Sequence, residues 1–231
     1  MSDVAENIAT VNELIARAAV RAGRAPNDVR LVAVTKTKPI EMIDAAVVAG
    51  QKIFGENYAQ EAASKMDARP ELEWHFIGSL QSNKVKLVAG RAKLIESVDR
   101  VKLGEEIARV ALVKGVVQDV LLQVNVGNEG TKHGIDPSEG LDTVARLASI
   151  EGLRLRGLMS LPPIGEEESV ARARFAELRS YLDSWRGGLT GASKASFTEL
   201  SMGTSSDFEW AILVGATLVR VGTRLFGPRE R

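Results

Sequence analysis

The chain has 231 residues, 45% of them apolar, with 30 basic and 30 acidic side chains and no cysteine. Zero formal charge leaves no overall electrostatic footprint for nucleic acid or an anionic membrane. The missing cysteines exclude disulfides, thiolate metal sites and a cysteine nucleophile, and His75 and His133 alone are too few for a histidine-rich metal site.

The first segment, Val4 to Arg21, is helical in period, with Ile8, Val11, Leu14, Ile15, Ala18 and Ala19 on one face. Gly23 ends it, and Ala25-Pro26-Asn27-Asp28 reads as a turn. Acids in Met1–Glu6, with no apolar stretch after them, give no leader signal. No apolar run approaches the ~18 residues of a membrane span. A cytoplasmic protein without membrane or nucleic-acid partners is therefore expected.

Strand and helix candidates then alternate. The strands are Leu31–Lys36, Ile53–Gly55, Trp74–Gly78, Leu94–Ser97, Val120–Val126, Arg154–Leu161, Ser196–Ser201 and Thr217–Val221. Between them lie helical stretches at Ile40–Ala49, Ala59–Asp67, Asn83–Ala89, Val101–Lys114, Gly140–Ser149, Glu166–Trp185 and Asp207–Val214. Such alternation predicts a parallel sheet. Eight strands in this length fit a (β/α)8 TIM barrel, which typically takes ~250 residues. An open doubly wound sheet is the runner-up, disfavoured because no G-x-G-x-x-G follows the first strand. The expected organisation is one barrel domain over residues 1–231. The helix in residues 1–24 is extra to the eight repeats, packed on the barrel and a candidate plug for its bottom.

In such a barrel the C-terminal strand ends carry the chemistry. The first strand delivers Lys36, which desolvation would let act as a Schiff-base amine. A lysine snorkelling to water is the plainer alternative. Later ends bring Glu56, Asn57 and Tyr58, then His75, then Glu96 and Ser97, then Asn125 with the segment Gly127–Gly134, then Met159 and Ser160. The seventh and eighth strands end in Ser201-Met202-Gly203-Thr204-Ser205 and Arg220-Val221-Gly222-Thr223. Loops after these two strands form the usual phosphate cup of a barrel. Small residues, hydroxyls and exposed N–H groups suit an anion, although each turn alone is equally an ordinary loop. A lysine with a phosphate cup across the barrel points to a phosphorylated aldehyde, either pyridoxal 5′-phosphate or a sugar phosphate. Strand alternation puts Arg220 on the face of Gly222. A guanidinium does not give up its proton, so facing a pyridine nitrogen it would keep that nitrogen unprotonated. A structural ion pair with Glu56 or Glu199 is the alternative.

Six segments carry a resemblance: Val34–Lys38, Phe54–Tyr58, Trp74–Lys84, Gly157–Ser160, Leu200–Asp207 and Arg220–Gly227. In order and over nearly the whole chain, they resemble the YggS/PROSC family of pyridoxal phosphate homeostasis proteins. More distantly they are similar to the barrel domain of alanine racemase. The resemblance implies a fold-type III pyridoxal phosphate barrel with Lys36 as the aldimine lysine. It implies Ser201, Gly222 and Thr223 as phosphate ligands, Arg220 at the pyridine nitrogen, and Asn57, His75 and Met202 lining the ring pocket. It also implies a carrier or regulator of the cofactor's level rather than an enzyme, with amino acids and pyridoxal phosphate-dependent apoenzymes as possible partners.

The tyrosines bear on that choice. Racemisation needs proton-transfer groups on opposite faces of one carbon. Alanine racemase-like enzymes draw the second from a tyrosine on a further domain, and this chain ends just after its eighth strand. Tyr181 falls in a connecting helix, and Tyr58 reads better as packing. A racemase and a Schiff-base aldolase acting on a sugar phosphate stay as alternatives. Gly127–Gly134, with Lys132 and His133, reads as a glycine-rich loop at the barrel mouth. Lys38 either neighbours Lys36 electrostatically or faces solvent. Lys84, Lys86, Arg91 and Lys93 read as a solvated basic face.

Overall fold

A computed structural model describes residues 4–127, 134–163 and 165–228. Lys132 and His133 of the glycine-rich segment lie outside the described residues. Strands β1 (Arg30–Val34), β2 (Ile53–Glu56), β3 (Glu73–Phe76), β4 (Leu94–Val98), β5 (Gln118–Gln123), β6 (Leu153–Met159), β7 (Glu199–Ser201) and β8 (Leu218–Val221) form a closed parallel barrel in sequence order. The seam is closed by β8 pairing with β1, where Val32 meets Arg220 and Ala33 meets Val221. Helix α1 (Val4–Arg21) precedes the barrel. The helices α2 (Ile40–Val48), α3 (Ala59–Ala68), α4 (Val85–Val88), α5 (Val101–Val113), α6 (Gly140–Ala148), α7 (Glu168–Gly187), α8 (Gly191–Ser196), α9 (Phe208–Leu213) and α10 (Thr223–Phe226) follow the strands. Among the described residues no helix is long and apolar enough to cross a membrane.

The strands are buried on both faces because both are covered. Inside the barrel Val32, Ile53, Leu94, Leu121, Met159 and Leu218 form one buried cluster. On the outer face Ala33, Phe54, Phe76, Ile95, Leu122, Leu158 and Val219 join the larger core with Ile43, Leu103, Ile107, Leu147, Phe175 and Leu178 of the helices.

Several expectations shift, among them the fifth strand, expected at Val120–Val126 and found at Gln118–Gln123. The first strand stops at Val34 rather than Lys36, because the chain turns through Thr37, whose φ of 62° is left-handed. The seventh strand begins at Glu199, and Ser196 belongs to α8, its hydroxyl donating to Leu155 O and Ser193 O at 3.1 Å each. The N-terminal helix is not a bottom plug. Asn7 Nδ2 donates to Leu225 O (3.0 Å) past the end of β8, and Arg24 Nη1 donates to Ala216 O (2.8 Å) just before its start. Helix α1 therefore runs antiparallel to β8, packed on α2, α9 and α10. It covers the flank that α10, a single turn, is too short to cover.

Because α1 completes the outer ring, its apolar face is as costly to lose as any core. Ile8 is buried at 1% exposure. Ile8→Ala should destabilise the protein by about 2–5 kcal/mol in urea unfolding. A cost within ~0.5 kcal/mol, typical of a surface position, would contradict this placement.

Candidate functional site

The strand ends open into a cavity of about 800 Å³, within the ~300–1,000 Å³ usual for small-molecule sites. Its lining comes from around the barrel. Val34, Lys36 and Lys38 come from the β1 side, Asn57 from β2, Ile77 from β3 and Gln123 from β5. Leu161 and Pro162 follow β6, Thr204, Ser205 and Ser206 follow β7, and Arg220, Gly222, Thr223 and Gly227 follow β8.

One corner fits an anion. The turn after β7 depends on Gly203 at φ +91°, where a Cβ would come 2.8 Å from Phe208 Cα. Asp207 accepts from Thr204 N (2.5 Å) and Thr204 Oγ1 (3.0 Å), so its charge is spent inside the turn. Ser205 Oγ accepts from Gly222 N (3.1 Å), which joins the two turns. Among the described residues the N–H groups of Ser205, Ser206 and Thr223 donate to no backbone carbonyl. A Cβ on Gly222 would sit 3.3 Å from Val34 Cβ, so glycine keeps this backbone at the cavity wall. Hydroxyls and N–H donors converging beside an arginine are the donor set a phosphate requires.

Beneath the cavity lies a buried ionic network. Arg220, 3% exposed, donates through Nη1 to Ser201 Oγ and through Nη2 to Ser160 O (2.7 Å), with Glu96 Oε2 at 3.7 Å. Ser201 Oγ in turn donates to Glu96 Oε2. The other oxygen of Glu96 meets His75 Nδ1 at 2.7 Å, and His75 Nε2 reaches Glu73 at 3.2 Å. Burial pulls the Arg220 pKa below its ordinary value against the pull of Glu96 and Asp207, yet a guanidinium remains a cation. Burial pushes Glu96 up, but His75, Arg220 and Ser201 outweigh it and hold the carboxyl below its usual range. For His75, burial lowers the pKa while Glu73 and Glu96 together raise it above the ordinary value.

Of the residues expected at a site, Lys36, Asn57, Arg220, Gly222 and Thr223 share the cavity lining. Asn57 Oδ1 is buried with no hydrogen-bond partner among the described residues, the kind of group a ligand would satisfy. Ser201, His75 and Met202 are not in the lining. Ser201 is the last residue of β7 and points into the barrel, its hydroxyl engaged by Glu96 and Arg220. His75 is enclosed between two carboxylates. Met202 alternates outward into the core under the helices. The anion-fitting corner sits beside Lys36 rather than across the barrel, since β8 pairs with β1. Arg220 does make an ion pair, with Glu96 rather than Glu56 or Glu199. Thr204–Ser206, in the turn expected to suit an anion, do line the cavity, whereas Gln123 was missed, its signal being its place at the end of β5. Neither tyrosine lines the cavity. Tyr58 is 52% exposed, and Tyr181 stacks on Trp185 and donates to Glu177. Lys38 Nζ donates to Phe226 O and Pro228 O at 2.9 Å each. In the basic face, Arg91 pairs with Asp67.

A closed (β/α)8 barrel whose strand-end face holds an amine, a buried guanidinium and an anion-fitting corner defines a small-molecule-binding barrel. Residues 10–230 match the family described as alanine racemase, N-terminal domain. The pyridoxal phosphate homeostasis protein of Aquifex aeolicus is 42% identical over 227 residues, covering 97% of this chain and 98% of that protein. That of Escherichia coli K12 is 40% identical, covering 100% and 98%. The structure of PipY from Synechococcus elongatus PCC7942 with PLP bound is 36% identical with a TM-score of 0.84, covering 97% and 100%. The chain belongs to the family of pyridoxal phosphate homeostasis proteins.

The ionic network sets a pH window. A raised His75 pKa contributes stability that is complete below the unfolded value of 6.5 and is lost as pH rises through the folded value. A depressed Glu96 pKa contributes stability that is complete above 4.5 and is lost as pH falls through the folded value. The melting temperature of the unmodified protein should therefore exceed that of His75→Gln most between 4.5 and 6.5, and the gap should narrow at higher pH. A gap that widens above 6.5 would mean that His75 sits neutral between its carboxylates.

Proposed function

We propose that this chain binds pyridoxal 5′-phosphate in the strand-end cavity, with Lys36 as its covalent anchor, and acts as a carrier or regulator of the cofactor's level. The observation that carries the reading is that the Lys36 amine, the Ser205–Ser206 and Gly222–Thr223 corner, and the buried Arg220 share one cavity. The names of its relatives, and PipY with PLP bound, support it.

When bound, the cofactor supplies an aldehyde that captures amines reversibly and a ring that draws electrons from the captured carbon. The protein's residues divide the work. Lys36 provides the amine. The hydroxyls of Ser205 and Thr223, with the N–H groups of their turns, hold the phosphate. Asn57 offers its amide to a polar ring substituent. Arg220, fixed by Glu96, Ser201 and Ser160, presents a donor to the ring nitrogen but keeps its own proton. The ring then stays a weak electron sink. Exchange at the aldehyde is favoured over chemistry at an amino-acid carbon, which suits delivery to incoming amino acids or apoenzymes. Racemisation would also need a second proton carrier, and neither tyrosine lines the cavity.

Borohydride trapping of the pyridoxal phosphate complex, followed by peptide mapping, should place the ligand on Lys36. An adduct confined to another lysine would overturn the assignment.

The phosphate corner has its own test. Ser205→Ala and Thr223→Val should each weaken pyridoxal phosphate relative to unphosphorylated pyridoxal by roughly 1.5–3 kcal/mol, the worth of a charge-assisted bond. Equal losses for both ligands would move the phosphate elsewhere. Alanine racemisation in the ordinary enzyme range of ~1–1,000 per second would contradict the carrier reading.

A further inference from the structure

The segment that carries Lys36 is held from behind by a second lysine. Lys65 on α3 is buried at 8% exposure. Its Nζ donates to Glu56 Oε1 (2.6 Å), to Glu61 Oε1 (2.7 Å) and to the carbonyl of Thr35 (2.7 Å). Three acceptors match the three donors of an ammonium, so this cation is structural and not a rival amine. Each acceptor leads back to Lys36. Thr35 precedes it and also donates its hydroxyl to Glu56 Oε1 (2.6 Å). Thr37 follows it and donates its N–H to Glu61 Oε1 (2.7 Å). Thr37 has φ 62°, a left-handed conformation that a β-branched residue adopts only when its surroundings impose it. Glu56 directly precedes Asn57, so the same ammonium also indexes the β2 side of the cavity. Backbone bonds from Thr35 N to Gly55 O (3.0 Å) and from Lys38 N to Thr35 O (2.9 Å) form the turn itself, and the side-chain cluster fixes it from behind.

We infer that Lys65 and Glu61 are positioning residues for Lys36, clamping the backbone on both sides so that its amine is presented to the aldehyde of the ligand. The inference rests on Lys36 being the anchor. Placement of a reacting amine matters steeply, since small misplacements forfeit much of the gain from a fixed geometry. Burial pushes the Glu56 carboxyl up, and Lys65 and Thr35 work against that push. Removing Lys65 therefore also endangers folding. Glu61, with its side chain one-quarter exposed, is the milder probe.

The test compares two ligands in equilibrium binding. Pyridoxal 5′-phosphate needs the amine, whereas pyridoxine 5′-phosphate carries an alcohol in place of the aldehyde and reports only the rest of the site. Glu61→Ala, and Lys65→Met where it folds, should weaken pyridoxal phosphate roughly tenfold while moving pyridoxine phosphate less than about twofold. Glu61→Gln keeps an acceptor for the Thr37 N–H and should recover most of the loss. Unchanged affinity for pyridoxal phosphate in Glu61→Ala, or an equal loss for both ligands, overturns the clamp. Borohydride mapping of the unmodified protein separates the two claims. An adduct on another lysine sinks both, whereas an adduct on Lys36 with affinities unmoved by Glu61→Ala sinks the clamp alone.

Discussion

A guanidinium buried inside a barrel must be compensated on the spot, and most of the site follows from how that is done for Arg220. Four strands contribute. β4 supplies the carboxylate of Glu96, β7 the hydroxyl of Ser201, the end of β6 the carbonyl of Ser160, and β3 the imidazole of His75 that braces Glu96 from behind. Stripping one partner from such a network typically costs about 3–5 kcal/mol, because the remaining charge is stranded in a poor solvent. A fully apolar filling of similar shape would often be no less stable. What the charged arrangement adds is a rigid donor at the floor of a cavity, held by partners that a ligand does not have to displace.

A second cation does comparable work one strand away. Lys65 gathers Glu56, Glu61 and the Thr35 carbonyl, and the residues on either side of Lys36 are tied to that cluster. The two cations have opposite relations to the cavity. Arg220 reaches it and is held from below, while Lys65 stays out of the lining and holds Lys36 in it. The β1–β8 seam brings these halves together, because the Lys36 segment and the Gly222–Thr223 turn extend from neighbouring strands. Helix α1 packs over the same flank, and so an element outside the eight repeats supports the edge on which the chemistry stands.

The alternation of apolar runs and helical periods made the barrel legible, and the helix over Val4–Arg21 was bounded correctly by its heptad-like face and Gly23. Lys36, Asn57, Arg220, Gly222 and Thr223 were legible as strand-end residues, because a barrel sends all such ends to one face. Ser201 and Met202 lie outside the cavity lining for a local reason. β7 is three residues long, so the inward phase ends at Ser201 and the turn, not the strand, presents Thr204–Ser206 to the cavity. His75 lies outside it for a non-local one. Its partner Glu96 is on the next strand, and nothing in the local pattern tells a histidine held between carboxylates from one that faces a ligand. The path of α1 depended on α10 being a single turn, which periodicity after the last strand did not reveal.

One cavity joins a strand-end amine to an anion corner over a fixed guanidinium, and the decisive measurement is a crystal structure of the protein grown with pyridoxal 5′-phosphate. The expected result is density continuous with Lys36 Nζ, the phosphate against Ser205 and Thr223, and Arg220 facing the ring nitrogen with its Glu96 and Ser160 contacts kept. A phosphate lodged away from that corner, or an Arg220 swung off Glu96 to meet it, would overturn this arrangement of the site.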